Sequence, residues 1–125
     1  MIIGTGIDII EVERVAASYK RFGDRFLKRI LKESEIEYCL SHKNPAQFIA
    51  ARFAAKEAIS KAFGTGISEK IGWQDIEICK EDSGKPYVKL HNKGLKLMEE
   101  YGATNLHISL SHTQNYATAI AILEK

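Results

Sequence analysis

Two acids and a lysine in this 125-residue chain stand where carboxylate chemistry can be built. Asp8 follows Gly4-Thr5-Gly6-Ile7, and Glu57 precedes Lys61 by one helical turn in Lys56-Glu57-Ala58-Ile59-Ser60-Lys61. A carboxylate drawn out of water is costly unless something satisfies it. Two of them brought together repel, which raises the pKa of one or both. A Mg²⁺ ion held between them would complete a hard, oxygen-rich half-shell, leaving positions for water and phosphate oxygens. Lys61 can reach the same phosphates as a point charge. Such a trio serves phosphoryl or nucleotidyl chemistry. The plainer readings are an i,i+4 Glu57–Lys61 pair, worth about 0.2–0.5 kcal/mol, and Asp8 as a helix cap with Glu11 as its reciprocal partner.

Glu57 and Lys61 belong to the one long helix the chain must contain. Asn44 can cap it, Pro45 can take the first helical position, and Gln47 falls where a capping box wants it. Gly64 and Gly66 supply the stop. At 100° per residue Phe48, Ala51, Ala55, Ile59, Ala62 and Phe63 form a core-facing stripe, while Ala50 and Ala54 surround Glu57 and Lys61. A helix apolar almost all round is central, with chain close against both sides. Asp8 belongs to a strand, Ile2 to Ile10, rich in β-branched residues. Period 2 sets Gly4, Gly6 and Asp8 on one side and Ile3, Ile7 and Ile9 on the other. The glycines clear space for a ligand in an acid-lined pocket, or for close approach of the alanine-lined helix. With no GxGxxG turn after the strand, this is not a dinucleotide fingerprint.

Between these elements, Glu11 to Ser41 reads as short helices broken near Gly23, with basic residues from Arg14 to Lys32 backed by apolar ones. That face is a solvated surface or a dock for an acidic helix or phosphates. Trp73 to Ile78 reads as a strand that pairs with Tyr87 to Leu90 across a longer turn. A short helix capped by Asn92 ends at Gly102, and Trp73, Met98 and Tyr101 read as core or interface residues. Two adjacent strands, Leu106 to His112 and Tyr116 to Leu123, close the chain, and the second is apolar on both faces and therefore central. Serines and histidines on the first lack a GxSxG elbow, which argues against a serine hydrolase.

Length and an ordinary composition predict a single domain over residues 1–125, at most in two small halves, with a real core. A formal charge of only +2 does not imply a general polyanion binder, so any basic surface must come from local clustering. Cys39 and Cys79, forty residues apart without metal-ligand spacing, read as reduced and semi-buried. No signal peptide or membrane span can be read, and the address this implies is cytoplasmic.

Four segments in register are similar to one family: Gly6-Ile7-Asp8-Ile9, Arg52-Phe53-Ala54-Ala55-Lys56-Glu57-Ala58 with Lys61, Gly84-Lys85-Pro86, and Ser109-Leu110-Ser111-His112. They resemble the bacterial holo-acyl-carrier-protein synthases, the short trimeric group of the 4'-phosphopantetheinyl transferase superfamily. The resemblance runs from end to end. It implies an α+β fold, with a mainly antiparallel sheet packed on the long helix and three subunits around an axis. It also implies transfer of the phosphopantetheine arm of coenzyme A to a serine of apo acyl carrier protein, releasing adenosine 3',5'-bisphosphate. In that reading Asp8 and Glu57 hold Mg²⁺, with Mn²⁺ possible, and Lys61 offsets charge at the phosphates. Either Glu57 or a metal-bound water takes the serine proton. Arg52, His112 and Lys43 grip the nucleotide, and Arg14, Arg21 and Arg25 dock the acidic carrier. Sites at subunit boundaries, no nucleic acid and no membrane complete the expectation. A metal-dependent nuclease would want more carboxylates and a broader cationic track. A non-enzymatic binding module would leave Asp8 and Glu57 as cap and surface ion pair.

Overall fold

The computed structural model describes all of residues 1–125. Strand β1 (Ile2–Glu11) runs into helices α1 (Val12–Phe22), α2 (Asp24–Ile30), α3 (Glu33–Leu40) and α4 (Pro45–Ala62). Strands β2 (Ile76–Lys80) and β3 (Pro86–Leu90) follow, then α5 (Lys93–Glu100), β4 (Asn105–His112) and β5 (Tyr116–Glu124). The mixed, antiparallel architecture matches the α+β expectation. β5 lies between β1 and β4 in a three-stranded antiparallel sheet, as its apolar sequence requires, while β2 and β3 form a separate hairpin.

Gly4 and Gly6 explain how α4 reaches the sheet. A Cβ at Gly4 would overlap the carbonyl oxygen of Ala62, and one at Gly6 that of Ala58. The cleared strand face is therefore filled by helix backbone. Of the two readings of that face, ligand space or close approach of the helix, the structure shows the second at Gly4 and Gly6. Small residues on both elements bring the backbones together, and Ala117, Ala119 and Ala121 of β5 continue the same close surface.

Several local expectations change. Asn44 makes no side-chain cap to α4; its φ of −118° and ψ of 82° lie off the usual cap geometry. Asp8 does not cap α1; it lies in β1 opposite Ala119, leaving Glu11 at the helix start. Trp73–Asp75 is a 3-10 turn, and the strand begins only at Ile76. The single core-facing stripe is too narrow a description of α4. Ala50, Ala54 and Ala58 are as buried as Ala51, Ala55 and Ile59, and Lys56 is fully buried among them. No helix is long and apolar enough to cross a membrane.

Candidate active site

Asp8 projects from the inner face of β1 toward α4. Lys61 Nζ donates to Asp8 Oδ1 at 3.1 Å and to the Ile7 carbonyl at 2.9 Å. Lys61 therefore turns to the strand instead of forming the i,i+4 pair with Glu57. Half of the Lys61 side chain remains exposed, against 17% of Asp8, so the lysine is the movable partner. Glu57 has its pKa raised, first by burial and then by the charge of Asp8, with Lys61 pulling the other way. That mutual repulsion is the state a hard divalent cation relieves. No third acid, histidine or cysteine joins the two, so a cation there would complete its shell with water and substrate oxygens. The carboxylate-rich surroundings wanted by a nuclease are missing for the same reason.

A second feature gathers Arg52 and His112 in one cleft. Its walls come from α3 (Tyr38), α4 (Phe48, Arg52), β2 (Ile78, Lys80) and the end of β4 (His112), with Gly84 and Pro86 at the rim. Arg52 is almost wholly buried, its guanidinium carbon lies 4.2 Å from the Tyr38 ring centroid, and its Nε has no hydrogen-bond partner. An orphaned donor on a buried cation points to an anion that fills the cleft. Lys80 Nζ donates to the Tyr38 hydroxyl at 2.9 Å, and Phe48 meets His112 edge-on. His42 stacks on Phe48 with centroids 3.6 Å apart. Lys43 is exposed beside it in the α3–α4 connection and does not line the cleft.

Tyr38, Lys80 and His42 were missed by sequence reasoning. Each comes from a segment that reads as ordinary helix, strand or loop, and only the fold brings Tyr38 and Lys80 to the Arg52 cleft and His42 against Tyr38 and Phe48. Arg14, Arg21 and Arg25 are exposed on α1 and α2. Arg25 lines a groove with Ser18, Phe22, Phe26 and Arg29, and Arg21 lies over the Phe22 ring.

Residues 4–121 match the family described as the 4'-phosphopantetheinyl transferase superfamily. The chain belongs to that superfamily. It is 50% identical over 124 residues to the holo-[acyl-carrier-protein] synthase of Koribacter versatilis, covering 99% of each chain. Among solved structures, the synthase of Neisseria meningitidis superimposes with a TM-score of 0.93 at 35% identity, covering all of both chains. The Helicobacter pylori synthase in complex with coenzyme A gives 0.86 at 35% identity, over 96% of this chain and 99% of that one. Within the superfamily the chain is therefore a synthase of the bacterial holo-[acyl-carrier-protein] type.

Proposed function

We propose that Asp8, Glu57 and Lys61 form the centre at which this synthase transfers the 4'-phosphopantetheine group of coenzyme A to a serine of apo acyl carrier protein. The carrying observation is that Lys61 Nζ lies 3.1 Å from Asp8 Oδ1 while the charge of Asp8, after burial, raises the pKa of Glu57 one turn away on the same helix as Lys61. Asp8 and Glu57 would hold Mg²⁺, or Mn²⁺ in its place. Bound there, the cation supplies charge neutralisation to the pyrophosphate. Lys61 leaves Asp8 for the phosphates and offsets the charge that grows on the departing adenosine 3',5'-bisphosphate. The serine oxygen bonds to the β-phosphorus as the bond to the nucleotide breaks, and Glu57 is the carboxylate to which the serine proton passes. Arg52 and His112, with Lys43 nearby, take the nucleotide end.

Residues 1–125 are read as one transferase domain, supported by a single contiguous core. The working unit is a trimer with sites at subunit boundaries. Two observations support this. Arg52 and Glu57 project from α4 about 140° apart, so one coenzyme A cannot easily meet both on the same subunit. The outer sheet face is apolar and open, with Ile7 65%, Ile9 66% and Ile120 40% exposed. For the carrier, Arg14, Arg21 and Arg25 offer cations to an acidic helix.

Intact-mass spectrometry of apo acyl carrier protein incubated with this chain and coenzyme A tests the reading. A carrier heavier by one phosphopantetheine with Mg²⁺, and unmodified with chelator, is the expected result. Asp8→Asn and Glu57→Gln should each slow transfer by at least about 100-fold while leaving the circular dichroism unchanged. Full activity in either folded variant would remove the metal role.

A further inference from the structure

Lys56, immediately before Glu57, takes no part in the chemistry above, yet it is fully buried. Its Nζ donates to Glu35 Oε1 at 2.7 Å, to the Ile30 carbonyl at 2.8 Å and to the Trp73 carbonyl at 3.0 Å. Every proton of the ammonium is thereby used. Glu35, equally buried, accepts from the backbone nitrogens of Lys32 at 2.7 Å and of Ile78 at 2.9 Å. β2 pairs only with β3, so Glu35 serves an N–H on its otherwise unpaired edge.

The positions of these contacts are specific. Lys56 lies one turn beyond Arg52 on the same side of α4, and Glu35 lies one turn before Tyr38 on α3. Ile78, held by Glu35, is itself a wall of the Arg52 cleft. One ion pair thus ties together the three elements that contribute Arg52, Tyr38 and Ile78, each within a turn of the cleft. A buried pair of this kind is weak evidence for stability, because apolar residues of similar volume often replace it without loss. What apolar residues cannot reproduce is directional bonding to the β2 edge and to the Trp73 carbonyl.

We propose that Lys56 and Glu35 are positioning residues that set the spacing of the Arg52 cleft, and with it the affinity for the nucleotide end of coenzyme A rather than the rate of transfer. The proposal rests on the assignment of that cleft to the nucleotide. Lys56→Met combined with Glu35→Leu removes both charges together, and Glu35→Gln keeps the volume and weakens the bonds. In steady-state transfer assays on the full chain, the double variant should raise KM for coenzyme A on the order of tenfold, with kcat within about twofold. Glu35→Gln should give a smaller rise of the same kind, and it carries the test if the double variant does not fold. Leu97→Ala, a cavity in α5 away from the cleft, is the control for general loosening and should leave that KM unchanged. Unchanged KM in the folded pair variants, or an equal rise in Leu97→Ala, overturns the proposal. Arg52→Gln separates the two levels. If it raises KM and the pair variants do not, the positioning role alone fails; if it leaves KM unchanged, the cleft assignment fails and the proposal with it.

Discussion

Glu77 shows how a single carboxylate on β2 contributes when it is not buried out of reach of water. It accepts from Ser34 Oγ at 2.6 Å and meets His91 Nε2 at 2.8 Å, linking the hairpin to α3. The Ser34 bond, followed by His91, holds its pKa below the ordinary 4.5. A depressed carboxylate stabilises the fold above its unfolded-state pKa, and that contribution is lost as pH falls through the lower folded value. Glu77→Gln should therefore melt below the parent at neutral pH, and the gap should close on titration from about pH 4.5 downward. A gap independent of pH would mean that the charge contributes nothing. The same scale separates what could be read from sequence and what could not. Asp8 and Glu57 were legible because glycines and alanines bare their surroundings, leaving each acid conspicuous. Lys56 was not, since its partner Glu35 is 21 residues away and a lysine beside a glutamate on a helix looks like solvated surface. Nor did Asn44 and Gln47 reveal that they form no cap, because capping depends on a backbone geometry that residue type does not determine.

Among the elements, the β1–α4 contact decides whether the centre exists at all. Asp8 is two residues beyond Gly6 on the same strand face, and Glu57 directly precedes Ala58, whose carbonyl covers Gly6. Gly6 lies in extended backbone, so an added methyl meets no conformational objection. It meets the helix. Gly6→Ala should push α4 from β1, costing about 1–3 kcal/mol by overpacking, and it should lower transfer activity beyond the share lost to unfolding because Asp8 and Glu57 separate. Thermal melts paired with activity at a temperature where both proteins are folded check this; full activity per folded molecule would uncouple the helix approach from the site. The strand and long helix were readable from periodicity, and so was the central place of β5. The 3-10 turn at Trp73–Asp75 was not. Its side chains carry a strand-like pattern, while the local geometry answers to Asp75 Oδ2 accepting from Gly72 N at 2.8 Å.

At the scale of the whole molecule, Arg52 and Glu57 project from different sides of α4, and the sheet face that carries Ile7, Ile9 and Ile120 is open; in the proposed trimer a second copy packs on that face and brings its own cleft to the acid centre. That arrangement makes a sharp prediction for mixed subunits. An Arg52→Gln chain keeps an intact acid centre, and a Glu57→Gln chain keeps an intact cleft; with coenzyme A held well below the raised KM of the Arg52→Gln chain, each alone should be nearly inactive. If each site takes its centre from one subunit and its cleft from the next, co-refolding the two at equal amounts should restore roughly a quarter of parental activity, because one boundary in four pairs an intact centre with an intact cleft. If both halves of the site come from the same chain, no boundary is repaired and the mixture stays as inactive as its components. Replacing Ile120 by Lys in both chains supplies the matching control. It should break the assembly in sedimentation and abolish the recovery together, since a charge cannot be buried at an apolar contact without a partner.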